Sequence, residues 1–74
     1  MKIPAHSTRE AERALQRAGF RRVRQKGGHR IYSDGVHTTL LPNHNRPMLR
    51  SNVRQMLKQA GLTDEQYIEL LKER

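Results

Sequence analysis

Cysteine is absent from the 74-residue sequence, so no disulfide braces the fold and any bound metal would fall to histidine or carboxylate ligands. Tryptophan is absent too. Phenylalanine occurs once, and 34% hydrophobic residues leave little material for a core. Modest stability follows, and with it the expectation that the chain gains by packing against a partner. No apolar stretch, Met1-Lys2-Ile3-Pro4-Ala5-His6 included, is long enough for a signal peptide or a membrane span, which points to a soluble cytoplasmic protein. Repeats, low-complexity tracts and internal linkers are missing as well, so residues 1–74 read as one domain. Acidic residues are scarce. Seven Asp and Glu stand against fifteen Lys and Arg, a formal charge of +8 on a very small body. Polyanions are therefore the expected partners, and arginine, the more frequent of the two cations, pairs with phosphate oxygens through a planar fork.

Ser7-Thr8-Arg9-Glu10 has the form of a capping box, after which Ala11, Ala14, Leu15 and Ala18 make one apolar helical stripe that Gly19 ends. Arg9, Arg13 and Arg17 share another face, by default a solvated one and otherwise an extension of a phosphate-binding track. Phe20 to Gln25 predicts a strand with Phe20 and Val23 buried, and Gly27-Gly28 a tight reversal into a second strand from Arg30 to Ser33. Asp34-Gly35 suits a two-residue type I′ turn, which would pair Ser33 with Val36 and Tyr32 with His37 and run a third strand from Val36 to Leu41. That alternation puts His29 beside Ile31, Val36 and Leu40, the more apolar face. A polar loop, Asn43-His44-Asn45-Arg46-Pro47, leads to a helix whose apolar face is Leu49, Val53, Met56, Leu57 and Ala60, closed by Gly61. Thr63-Asp64-Glu65-Gln66 opens a short last helix, with Tyr67, Ile68, Leu70 and Leu71 as its apolar patch. The fold class is α+β: helix, three-stranded antiparallel sheet, helix and short C-terminal helix, with helices covering one face of the sheet.

Function concentrates in Gln25-Lys26-Gly27-Gly28-His29-Arg30-Ile31-Tyr32-Ser33-Asp34-Gly35. A histidine, whose unperturbed pKa of roughly 6.5 lets it exchange protons near neutrality, emerges there from a glycine pivot among cations. That pairing suits gripping or cutting RNA.

The runs Ala18-Gly19-Phe20, Val23 to Tyr32 and Leu57-Lys58-Gln59-Ala60-Gly61-Leu62 resemble the HicA family of small toxins over nearly the whole chain. The resemblance implies a double-stranded-RNA-binding-domain-like fold, mRNA interferase activity and silencing by a HicB-type antitoxin in a hetero-oligomer. It also implies a functional histidine in a Gly-Ser-His motif. Here the motif's glycine is Gly27 and its histidine His29, but Gly28 replaces the serine and Arg30 stands where relatives often carry a second histidine.

RNA is cut without metal when a base takes the 2′-hydroxyl proton, a cation stabilises the phosphorane and an acid protonates the leaving 5′-oxygen. His29 is the candidate catalytic base or acid. Lys26, Arg24 and Arg30, with the Gly27-Gly28 turn, form the candidate RNA-phosphate-binding set. His37, opposite Tyr32 in the expected ladder, is weighed as a second proton-transfer group but reads better as a cross-strand packing pair, and His6 and His44 read as solvated loop residues. His29, His37 and His44 show no helical i, i+4 pairing and no carboxylate nearby beyond Asp34, so neither metal nor other cofactor is assigned. Three other classes are weighed beside the enzyme. A non-catalytic RNA-binding module would track phosphates with its basic faces. A DNA-binding helix-turn-helix would use Leu49 to Ala60 and the last helix. An interaction protein would show a large apolar patch in place of a charged one.

Overall fold

The computed structural model describes residues 7–43 and 48–72 of the chain; His6 and most of the expected polar loop, His44 included, lie outside them. The elements are α1 (Thr8–Arg17), β1 (Arg21–Lys26), β2 (His29–Ser33), β3 (Thr38–Pro42), α2 (Arg50–Ala60) and α3 (Asp64–Lys72). The strands form one antiparallel sheet in the order β1-β2-β3. This is the expected α+β succession.

Local chemistry sets the helix ends. Ser7 Oγ accepts from the Glu10 amide at 3.4 Å to start α1. At its other end the Phe20 amide reaches the Leu15 carbonyl (2.9 Å) and the Gly19 amide that of Gln16 (3.1 Å), the two bonds of a Schellman motif around a left-handed Gly19. Helix α2 closes the same way through Leu62 and Gly61. Thr63 and Gln66 make a full capping box for α3, each side chain accepting from the other's amide at 3.1 and 2.9 Å.

One cluster of buried apolar side chains joins the three helices to one face of the sheet. Ala11, Ala14 and Leu15 of α1 lie over Tyr32 and Leu41; Val53, Met56 and Leu57 of α2 and Tyr67 of α3 complete it. Arg17, expected on an exposed face, donates to the Leu70 carbonyl at 2.6 Å and ties α1 to α3.

The hairpin between β2 and β3 differs from expectation. Asp34 does not sit in a two-residue turn: its carboxylate accepts from the amides of Val36 (2.8 Å) and His37 (2.6 Å), while the Asp34 amide donates to the His37 carbonyl. These bonds, from His37 first and Val36 second, hold the Asp34 carboxyl below its usual pKa. The loop is thus four residues long, and Ser33 pairs with Thr38, Tyr32 with Thr39, Ile31 with Leu40. Val36 is outside β3 and 83% exposed. His37 is a loop residue whose Nδ1 lies 3.7 Å from Asp34 Oδ2, not a partner of Tyr32.

Two expected core residues are also displaced. Val23 is 56% exposed, because the β1–β2 register shifts between Arg22 and Arg24 and leaves it as the extra residue of a bulge. Leu49 precedes α2 and is 69% exposed, while Met48 takes the buried place beside the core.

Candidate nucleic-acid-cleaving site

The sheet has two unlike faces. Tyr32, Thr39 and Leu41, fully buried, point to the helices; His29, Ile31 and Leu40 alternate to the other side, which no described helix covers as a layer. His29 shares the more apolar parity, as expected, yet is exposed, because that face is the open one.

His29 is the first residue of β2, directly after a two-residue turn. Gly27 has φ +59°, while Gly28 lies outside the left-handed region, the pattern of a type II′ turn with glycine at its first central position. Lys26 and His29 are directly paired across the strands and Arg24 is paired with Ile31. Directly opposed residues project to the same side with Cβ atoms roughly 5 Å apart, so Lys26 and Arg24 join His29 on the open face. The bulge at Val23 makes this possible. Arg22 is opposite Tyr32 and faces the helices, and without an extra residue Arg24 would face them too.

Arg30 is not in this group. Its side chain, 16% exposed, lies on the helix side, 3.7 Å from Glu12 Oε2, and its Nε donates to Asn43 Oδ1 at 2.9 Å. The Asn43 amide in turn donates to the Gly28 carbonyl at 2.8 Å. A chain of polar contacts thus runs from α1 through Arg30 to the turn that carries His29. Glu12 also accepts from the Tyr32 hydroxyl and lies 3.8 Å from Arg22. Burial, reinforced by that bond to a carboxylate, pushes the Tyr32 phenol up to about 12. The sequence showed Glu12 only as a helix residue; that it would gather Tyr32, Arg30 and Arg22 depends on how α1 crosses the sheet.

His29 also lines a groove of about 200 Å³ between β3 and α2. Leu40, Pro42, Met48 and Met56 give its apolar surface; Asn52, Gln55 and Gln59 give three carboxamides along α2. Their i, i+3, i+7 spacing was visible in the sequence, but nothing there placed that stripe beside His29. His37 is in the loop beyond the far end of β2, which carries the chain four steps or roughly 13 Å away from His29, too far to share a proton-transfer step. Among the described residues no three His, Asp or Glu side chains converge as metal ligands, and no helix is long and apolar enough to cross a membrane.

A search of curated proteins finds no match to the chain. The family model for the HicA toxin of bacterial toxin-antitoxin systems matches residues 8–62, from the first residue of α1 to the Schellman closure of α2, and leaves α3 outside although Tyr67 is part of the core. With more than half its length in that match, the chain belongs to the HicA toxin family and is a toxin of a toxin-antitoxin system.

Proposed function

We propose that this toxin is a metal-independent endoribonuclease that cuts mRNA in the cytoplasm, with His29 as its proton-transfer group. The observation that carries this reading is the exposed His29 at the end of a fixed turn, with Lys26 directly opposite and Arg24 on the same open face. The 2′-oxygen of one ribose attacks the adjacent phosphorus as His29 takes its proton. Lys26 and Arg24 offset the charge that accumulates on the phosphorane oxygens. The bond from phosphorus to the 5′-oxygen breaks, that oxygen takes a proton from water while the protonated His29 returns its own to solvent, and the products are a 2′,3′-cyclic phosphate and a 5′-hydroxyl. Gly27 and Gly28 let the RNA backbone approach the turn. Arg30, tied to Glu12 and Asn43, acts as a positioning residue for that turn and not as a phosphate ligand.

A HicB-type antitoxin silences the toxin by laying an acidic segment over Lys26, Arg24 and His29, which blocks substrate and neutralises charge together. A second reading, a non-catalytic RNA-binding module, draws on one observation: among the described residues the register puts no second histidine or carboxylate beside His29. End-group analysis separates the two. Purified protein is incubated with a long RNA in excess chelator, beside a His29→Ala variant, and the fragment ends are mapped. Fragments ending in cyclic phosphate from the parent alone support the enzyme. Intact RNA in both lanes leaves the binding module, and equal cleavage by both assigns the chemistry elsewhere.

A further inference from the structure

Building on the RNA-cleaving reading of His29, we propose that the groove between β3 and α2 is a subsite for one unpaired nucleobase next to the scissile phosphate, and that Asn52 and Gln55 set which base is accepted. The chain carries a net charge of +8, yet none of the residues lining this groove is Lys, Arg, Asp or Glu. It is a neutral recess in a cationic protein, with Lys26 and Arg24 on the sheet face that His29 shares. Phosphates gather on the cations and leave the recess to the one part of a nucleotide that is uncharged and flat.

The lining suits that guest. Leu40, 41% exposed, and the half-buried Pro42 give the open apolar surface, and the buried Met48 and Met56 lie at its base, where a thioether is a soft, polarisable neighbour for an aromatic ring. Along the rim run the carboxamides of Asn52, Gln55 and Gln59, each offering both a donor and an acceptor, the two functions a base edge presents in a base-specific order. Unpaired bases are read in this way, by stacking and by hydrogen bonds to their edges. Thr39 Oγ1, with one hydrogen to give, lies 3.0 Å from the Met56 carbonyl and 3.3 Å from Gln59 Oε1, so it bonds one of the two at a time. The volume, about 200 Å³, is below the roughly 300 Å³ at which sites for drug-sized molecules begin, and is room for a single ring system. Since His29 also lines the groove, a base seated there delivers its own ribose and phosphate to the imidazole.

The test uses the full chain and four 2′-O-methyl RNA octamers that differ in one central base and cannot be cut for want of a 2′-hydroxyl. Binding by the parent, Asn52→Ala, Gln55→Ala and the double variant is measured, with circular dichroism to establish folding. Gln55→Glu serves as a second probe, because it keeps an acceptor and removes the donor. The subsite predicts that the parent prefers one base by roughly tenfold, that the double variant loses the preference but still binds, and that Gln55→Glu changes the order of bases. Equal binding of all four octamers by the parent, or an unaltered order in every variant, overturns it. Uncut sister RNAs with the 2′-hydroxyl restored, together with retained base preference among the octamers, would support the subsite while refuting His29 catalysis. His29-dependent cutting with no base preference would do the reverse.

Discussion

Replacing Glu12 by Gln should destabilise the fold and loosen the turn that carries His29, although the residue is on a helix away from the open face of the sheet. Three groups converge on its carboxylate: the buried Tyr32 hydroxyl, the largely buried Arg30 guanidinium at 3.7 Å and the half-exposed Arg22 at 3.8 Å. A hydrogen bond to a charged group contributes roughly 1.5–3 kcal/mol, and an amide oxygen keeps about half of it, so the Tyr32 contact loses about 1 kcal/mol. Arg30, left without its counter-charge, adds on the order of 1 kcal/mol, while Arg22 is too exposed to add more than a few tenths. The expected total of about 2 kcal/mol corresponds to a fall in Tm of roughly 8–16 °C in a domain of this size. Thermal denaturation followed by circular dichroism gives the number. A double-mutant cycle with Tyr32→Phe isolates the pair and should return a coupling of about 1 kcal/mol. A Glu12→Gln protein within about 0.5 kcal/mol of the parent, a difference typical of ordinary surface changes, would refute the view that α1 is pinned to the sheet through this carboxylate.

Three further outcomes are expected. Lys26→Ala should weaken RNA binding and lower the salt slope by about 0.7, one single-strand phosphate contact, whereas Arg30→Ala should lower Tm and leave that slope alone; salt titrations of both variants decide it. Gly27→Ala should destabilise by about 1 kcal/mol because φ is +59°, but Gly28→Ser should fold at least as stably as the parent, since a Cβ there meets nothing within 4 Å and φ is ordinary; paired denaturant melts check the contrast. Stability should fall on the alkaline side. The folded Tyr32 phenol is raised to about 12 by burial and by Glu12, so its contribution is complete below pH 10, the unfolded value, and is lost as pH rises to about 12; Tyr32→Phe should flatten this part of the melting profile, though not wholly, because burial also raises Tyr67.

Signals confined to a few neighbouring residues were legible in the sequence. The capping residues Ser7 and Thr63, the closing glycines Gly19 and Gly61 and the helical stripes of α1 and α2 are each decided within one or two turns of chain, and each occurs as read save for Leu49, which precedes α2 and is exposed. The β2–β3 register was not legible, because Asp34 can occupy a tight type I′ turn or accept amide hydrogens from a longer loop, and the two differ by two residues of pairing. Since that shift is even, alternation survived it; what the sequence concealed was which face the helices choose. Tyr32 decides this: its ring fills the core while its hydroxyl reaches Glu12, whereas the smaller Ile31 and Leu40 tolerate the open side. The bulge at Val23 was hidden for a related reason. A run of Arg and Val has no glycine or proline to mark an extra residue, so only pairing with β2 shows that Arg24 leaves the face of Arg22, whereas Arg30, next to His29 in one strand, is on the opposite face by alternation alone.

The role of His29 can be measured apart from RNA binding. Single-turnover cleavage of RNA in chelator and the Kd for a non-cleavable 2′-O-methyl RNA should be determined side by side for the parent and His29→Gln. If the imidazole moves protons, cleavage falls by roughly 10²–10⁴-fold while Kd stays within about twofold. Undiminished cleavage by His29→Gln, or a rate loss matched by an equal loss of affinity, would contradict it.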